Sequence, residues 1–171
     1  YPDGSKYIGE WENGIKSGQG IFYSSFGGKY TGEWKNGIKN GYGTEIQSSG
    51  KKYVGEFIKG KKHGLGTQTF KDGSKYIGEW KNGEFNGNGD LASPDGQKYV
   101  GEWKNGTYHG YGEYIFGKGK WFGDKYIGKF KYGKKHGQGK YFFSDGRKYI
   151  GEFIKGKKHG FGTFTNPNGG K

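Results

Sequence analysis

The sequence has no cysteine and no methionine, only 3 prolines, a single arginine (Arg147) and two leucines (Leu65 and Leu91). Each scarcity removes a class of answer. Without thiols there is no disulfide framework, no thiolate metal centre and no cysteine nucleophile, and a reducing compartment suits the chain. Two leucines cannot build leucine-rich repeats, and long stretches without Ala or Leu argue against helical repeats. One arginine leaves little for reading base edges, so sequence-specific nucleic-acid recognition is not expected. No apolar run approaches the roughly 18 residues that a membrane span needs, and no signal peptide is visible. Lacking methionine and starting inside a motif at Tyr1-Pro2-Asp3-Gly4, the chain reads as a segment of a longer protein.

What the chain has is glycine and rings. Only 29% of its 171 residues are hydrophobic, a value typical of disorder, yet 19% are aromatic, with 5 Trp, 15 Tyr and 13 Phe. Such rings bury large areas and offset the shortage of aliphatic side chains. Forty glycines would be costly in ordering entropy unless each had a steric purpose.

Their placement supplies that purpose. The pattern Tyr-x-Gly-Glu-Trp/Phe recurs from Tyr7, Tyr30, Tyr53, Tyr76, Tyr99, Tyr126 and Tyr149, in steps of 23, 23, 23, 23, 27 and 23 residues. Fixed spacing of this kind marks a repeat array. The fourth position after each tyrosine is Trp11, Trp34, Phe57, Trp80, Trp103, Phe130 or Phe153. Glycines occupy five further columns of seven and account for 35 of the 40, so glycine content follows from the repeat and not from linkers.

Each unit holds two short β-prone runs around a turn signal such as Asn13-Gly14, Asn36-Gly37, Asn82-Gly83 or Asn105-Gly106. Asn-Gly favours a type I′ hairpin, and the other three copies keep the glycine. Asp72-Gly73, Asp95-Gly96 and Asp145-Gly146 mark the return turns. The expected fold is all-β: seven consecutive antiparallel hairpins, fourteen strands, in an elongated, twisted single-layer sheet or open solenoid. At about 4.8 Å per strand it would extend roughly 65 Å. With the two-residue turn as hinge, Tyr53 should oppose Gly66, Gly55 should oppose Gly64 and Phe57 should oppose Lys62, laying rings over glycine.

The run Tyr-x-Gly-Glu-Trp-Lys-Asn-Gly followed by His-Gly-x-Gly, clearest from Tyr99 to Gly112, resembles the MORN (membrane occupation and recognition nexus) repeat over essentially the whole chain, residues 1–171. That resemblance implies successive hairpins in a binding module, as in cytoskeletal and ciliary scaffolds, junctophilins, some lipid kinases and a SET-domain methyltransferase. It implies protein partners in several cases and acidic phospholipids by a weaker attribution. It fixes no single activity.

The polar columns come next. His63, His109, His136 and His159 share one repeat position, ten after the tyrosine. Regularity favours cross-strand pairing over metal binding, with Glu56 facing His63, Glu102 facing His109 and Glu152 facing His159, and Lys129 facing His136. The glutamate column would form a ladder and not one shaped carboxylate pair for acid–base work. No nucleophile elbow, phosphate loop, dinucleotide fingerprint or calcium loop is present. The Asn105-Gly106-Thr107 sequon doubles as a hairpin turn, which is the preferred reading. No catalytic residue, metal ligand or cofactor is therefore expected, and the chain is not read as an enzyme.

Two binding surfaces remain. The first is aromatic, with Trp11, Trp34, Phe57, Trp80, Trp103, Phe116, Trp121 and Phe122 as candidates for holding an elongated protein partner or a second copy of the chain. Phe116, Trp121 and Phe122 lie in the one break of periodicity, four extra residues between Gly112 and Tyr126. Loop insertions in arrays often gather on a binding face, and the alternative is that these rings fold back onto the sheet. The second surface is basic. A net charge of +13 and the recurring pairs Lys61-Lys62, Lys134-Lys135 and Lys157-Lys158 suit an acidic phospholipid surface, against the plainer possibility that lysine stems cover rings. A cytoplasmic location with cytoskeletal or membrane-surface association is the matching expectation.

Overall fold

The computed structural model describes residues 1–170. It is all-β, and its fourteen antiparallel strands follow chain order without a crossover in one open sheet. Two compact units divide the chain, Tyr1–Glu84 and the residues from Phe85 onward. The first contains β1 (Lys6–Glu12), β2 (Ile15–Tyr23), β3 (Lys29–Lys35), β4 (Ile38–Ile46), β5 (Lys52–Ile58), β6 (Lys61–Thr69) and β7 (Lys75–Lys81). The second begins within β8 (Glu84–Ala92) and continues with β9 (Lys98–Lys104), β10 (Thr107–Ile115), β11 (Lys125–Lys131), β12 (Lys134–Phe142), β13 (Lys148–Ile154) and β14 (Lys157–Thr165).

The turns form for the reason their composition suggests. Asn13 and Gly14 have φ of 48° and 74°, the paired positive values that give a two-residue loop the twist of its flanking strands. Lys59, Tyr132 and Lys155 take similar positive φ in the copies without asparagine, each followed by the retained glycine. Asn105 sits at φ 49° in the same turn. In the return turns, carboxylates fix the backbone: Asp72 accepts from Ser74 N at 2.9 Å and Asp95 from Gln97 N at 2.9 Å.

The register departs from the expected one in an informative way. Next to the turn it is as expected, with Phe57 opposite Lys62 and Glu56 opposite His63. Beyond that point Gly55 pairs with Gly66, and Tyr53 with Gln68. A bulge places Gly64 and Leu65 as two extra residues on the second strand, which is why β5 has 7 residues and β6 has 9. Gly64 takes φ +55°, a left-handed conformation that costs glycine nothing. Because the slip is two residues, side-chain parity survives and the rings stay on the intended face.

That face is the core. Tyr30, Tyr53, Tyr76, Tyr99, Tyr126, Phe57 and Phe153 are all under 2% exposed. Glycine makes room for them: a Cβ on Gly112 would lie 2.5 Å from the hydroxyl oxygen of Tyr99. The rings meet edge to face and are not stacked in parallel. In the first unit, centroids lie 5.1 Å apart from Tyr30 to Phe57, from Phe57 to Tyr53 and from Tyr53 to Trp80. In the second, Tyr126 lies 5.1 Å from Phe130 and 5.0 Å from Phe153. Each such pair contributes about 0.5–1.5 kcal/mol beyond area burial. The polar ends are satisfied as well, since Tyr30 and Tyr99 hydroxyls donate to the carbonyls of Glu33 and Glu102 at 3.0 and 2.8 Å, and the Trp103 indole donates to Gly89 O at 2.9 Å.

Candidate functional site

The glutamate column does something other than pair with histidine. At the bulge, one backbone N–H on the second strand leaves the ladder, and the carboxylate nine residues earlier accepts it. Glu10 takes the amide of Gln19 at 2.8 Å, Glu33 that of Tyr42 at 2.7 Å, Glu56 that of Leu65 at 3.3 Å and Glu102 that of Tyr111 at 2.7 Å. The expected Glu–His side-chain bonds are therefore replaced: the amide released from the ladder is the nearer donor, and its bond to a carboxylate is charge-assisted although exposed to solvent. Nδ1 of His109 is enclosed without a partner. Among the described residues, no three His, Asp or Glu side chains gather as a metal site, and no helix is long and apolar enough to cross a membrane.

The proposed aromatic contacts divide sharply. Trp34, Phe57, Trp80 and Trp103 are 6%, 1%, 5% and 4% exposed, so they belong to the ring layer and present no surface to a partner. Trp11, on β1, the first of the described strands, is half exposed. In the insertion, Trp121 and Phe122 are exposed while Phe116 is half-buried. The loop is nonetheless ordered by its backbone: Phe116 N donates to Asp124 O at 2.9 Å and Lys118 N to Asp95 O at 2.9 Å. Buried Asp124 anchors its end, accepting Tyr141 Oη at 2.6 Å and Ser144 N at 2.8 Å.

The lysine pairs divide too. Lys61, Lys134 and Lys157 are exposed beside the turns. Lys62, Lys135 and Lys158 lie over rings, with Nζ 4.8 Å from Tyr53, 4.5 Å from Tyr141 and 4.8 Å from Tyr149 respectively. Burial pushes the Lys62 and Lys158 ammonium groups below the usual lysine value, and holds Lys135 down to about 8, with Lys158 adding repulsion.

Sequence reasoning misses a second layer on the ring face. It is formed by two repeat columns, nine and fifteen positions after the tyrosine, read in order as Lys16 and Phe22, Lys39 and Glu45, Lys62 and Gln68, Phe85 and Leu91, Tyr108 and Tyr114, Lys135 and Tyr141, Lys158 and Phe164. In the interior of the first unit these positions are polar and joined. Lys39 is paired with Glu45, and Lys62 donates to Gln68, which is buried. In the second unit they are mostly aromatic. Tyr108 stacks on Tyr99 at 4.0 Å, and Tyr114 meets Phe116 at 4.7 Å. Two adjoining clefts open there. One, of about 260 Å³, is lined by Tyr108, Tyr114, Phe116, Phe130 and Lys135. The other, of about 420 Å³, is lined by Phe116, Trp121, Lys135, Tyr141, Phe143 and Lys158. The signal is present in the sequence as two columns whose chemistry changes between repeats while the framework columns do not.

Comparison with known proteins agrees with this architecture. The MORN repeat model matches residues 7–27, 30–52, 53–75, 76–98, 99–121, 126–146 and 149–171, seven copies in all. The chain belongs to the MORN repeat family. Solved structures extend the likeness of fold. The Sas-4 TCP domain of Drosophila melanogaster, solved with a proline-rich motif of Ana2, is 11% identical with a TM-score of 0.54, covering 96% of this chain and 86% of that one. The TCP10c domain of Drosophila melanogaster Sas-4 is 10% identical with a TM-score of 0.50, covering 96% and 94%. Among curated proteins no relative matches. The seven MORN copies and the observed hairpins coincide, each copy starting on the first strand of a pair.

Proposed function

We propose that this MORN array is a non-catalytic protein-interaction scaffold that holds an extended segment of a partner against the ring-bearing face of its second unit. The observation that carries the reading is the pair of adjoining clefts between Tyr108 and Lys158, walled chiefly by the rings of Tyr108, Tyr114, Phe116, Trp121, Tyr141 and Phe143. Aromatic-lined grooves suit polyproline II segments, which are already extended and lose little entropy on docking. The Sas-4 TCP domain, similar in fold, is solved with a proline-rich motif, which supports this choice of partner chemistry. Trp121, carried by the insertion and exposed while lining the second cleft, supplies hydrophobic area at its edge.

A lipid-surface reading has one observation in its favour, the exposed Lys61, Lys134 and Lys157 beside successive turns. The two readings separate by nuclear magnetic resonance titration of the labelled protein. A proline-rich peptide is expected to shift the amides of Tyr114, Phe116, Lys135 and Tyr141, to do so in high salt, and to lose roughly tenfold in affinity on Phe116→Ala. Phosphatidylserine vesicles that bind at low salt, with no peptide-induced shift in those residues, would replace the scaffold reading with the lipid one.

A further inference from the structure

Lys135 stands out within the second layer. Its Nζ lies 4.5 Å from the ring centre of Tyr141, 5.2 Å from Phe116, 5.6 Å from Tyr126 and 5.8 Å from Phe153. Four rings therefore surround one ammonium group. Both clefts are lined by it, together with Phe116 and Gly156. In the second repeat the equivalent lysine, Lys39, also lies over rings, 4.9 Å from Tyr30 and 5.9 Å from Phe57, but there Glu45 supplies a carboxylate six residues on. In the sixth repeat that position is Tyr141, and its hydroxyl donates to Asp124.

Asp124 does not replace the missing carboxylate. One of its oxygens accepts from Tyr141 and the other from Ser144 N, so it is committed to holding the end of the insertion. Ion pairs of the described residues include Lys39 with Glu45, Lys125 with Glu113, and Arg147 with Asp145. Lys135 is in none of them. Apart from Asp124, the charges around Lys135 are cationic, with Lys134 lining one cleft and Lys158 the other. Ring faces stabilise a cation but leave its hydrogen-bond donors unused, and a partly desolvated ammonium group gains most from a charged acceptor.

We infer that Lys135 is the anchor for a single carboxylate of an extended partner peptide, an Asp or Glu side chain seated where the two clefts meet, in the role that Glu45 performs internally for Lys39. This rests on the reading of the second unit's ring face as a peptide-docking surface, and it names what that surface selects: a proline-rich segment carrying an acidic residue. Rings bind the flat apolar parts of the segment with little preference, whereas the ammonium group fixes its register. Lys16 also has four rings within 6 Å, those of Tyr1, Tyr7, Phe22 and Trp34, but the cleft it lines already carries a carboxylate, Asp3, so it offers no equivalent site. Lys158 lies under rings of the last hairpin but is itself exposed, so a carboxylate there stays in water and gains little.

The test uses two fluorescent proline-rich peptides that differ only in one central residue, glutamate or glutamine, and measures their affinities by anisotropy. Wild-type protein is expected to prefer the glutamate peptide by about tenfold or more. Lys135→Met should bind the two within about twofold of each other, with its spectrum showing the fold intact. Tyr141→Glu, which recreates the Lys39–Glu45 arrangement within the chain, should also erase the preference while keeping Lys135. Lys62→Met, in the first unit, should leave the preference in place. Equal binding of both peptides by wild-type protein, with shifts at Phe116 and Tyr141, would overturn the anchor while leaving the docking surface standing. A preference that persists in Lys135→Met places the anchor elsewhere and overturns it as well. Binding of neither peptide, with no shift in the second unit, would remove the docking surface and the anchor together.

Discussion

The two units share one framework and differ in what lies over it. In the interior of the first, the ring layer is roofed by Lys39 with Glu45 and by Lys62 with Gln68, long polar side chains that satisfy one another. In the second, Phe85, Tyr108, Tyr114, Tyr141 and Phe164 take the same columns, and the roof becomes a set of ring-walled clefts. Constant columns build the sheet; variable columns decide whether the clefts over it are lined by a polar pair, as beside Lys39 and Glu45, or mostly by rings. A repeat protein can thus acquire a binding surface without disturbing its fold, because the positions that specify one are not those that specify the other.

The comparison predicts equal frameworks, and this is where the largest effects lie. Tyr53→Ala and Tyr76→Ala in the first unit and Tyr99→Ala in the second should each destabilise by about 3–5 kcal/mol, since each ring is at most 1% exposed and glycine-lined slots cannot collapse around the void. Trp11→Ala, half exposed, should cost under about 1 kcal/mol. Urea unfolding of the four variants measures this. A Tyr99→Ala cost well below that of Tyr53→Ala would mean that the second layer, with Tyr108 against Tyr99, takes over part of the core and that the two frameworks are not equivalent.

Adding atoms should matter as well as removing them. Gly112→Ala places a methyl group 2.5 Å from the Tyr99 hydroxyl, and overpacking of this kind costs about 1–3 kcal/mol. A Cβ on Gly66 would collide with Tyr53 in the same way, so Gly66→Ala should match it. The same denaturation experiment checks both, and a neutral Gly112→Ala would show that the ring of Tyr99 has room the structure denies.

These effects bear on what the sequence makes readable. Hairpins, turns, ring column and glycine column are all legible because each is dictated locally and repeated at a fixed period: Asn-Gly sets the turn, alternation sets the face, and absence of a side chain makes the slot. The bulge at Gly64 and Leu65 is not legible, because two extra residues leave face parity unchanged and the alternation pattern is blind to an even slip. With the bulge unseen, Glu56 falls to His63 and not to the amide of Leu65. The tryptophans of the interior repeats read as partner contacts from their chemistry alone, although the same slots that explain the glycines bury them. The second layer escapes because it is defined by differences among copies, and averaging over repeats erases such differences.

The glutamate column provides a smaller test, since the sixth repeat alone carries lysine there. Glu33→Ala removes the acceptor of the Tyr42 amide at 2.7 Å, a bond exposed to solvent, and should cost about 0.5–1 kcal/mol. Lys129→Glu should act in reverse. Gly137 has φ +61°, like its counterparts, and the Lys129 stem passes over it, with Cδ 3.7 Å from where a Cβ on Gly137 would stand. A carboxylate at position 129 can therefore reach the Gln138 amide without backbone change. A gain of about 1 kcal/mol is expected by analogy with the other repeats. Thermal unfolding that finds Lys129→Glu neutral would show that the second unit's bulge satisfies its amide by another route.

The smallest effect separates the two roofs by pH. Burial and the nearby Lys158 hold Lys135 down to about 8 in the folded chain, whereas in the unfolded chain a lysine titrates near 10.4. Asp124 opposes the shift, and the facing phenols of Tyr126 and Tyr141 are raised by burial and stay neutral across this range. A lowered folded value means that the folded state carries the cost of an enclosed charge in full below pH 8 and sheds it as pH rises towards 10.4, because over that interval the unfolded chain binds the extra proton. Wild-type protein should therefore gain on Lys135→Met between pH 8 and about 10, by a melting-temperature difference of roughly 2 °C. Recording the difference between the two proteins cancels the titration of groups that do not interact with Lys135. A difference that stays flat over this interval would mean that water reaches the Lys135 ammonium group freely, and that the second unit's roof is as wet as the polar pairs of the first.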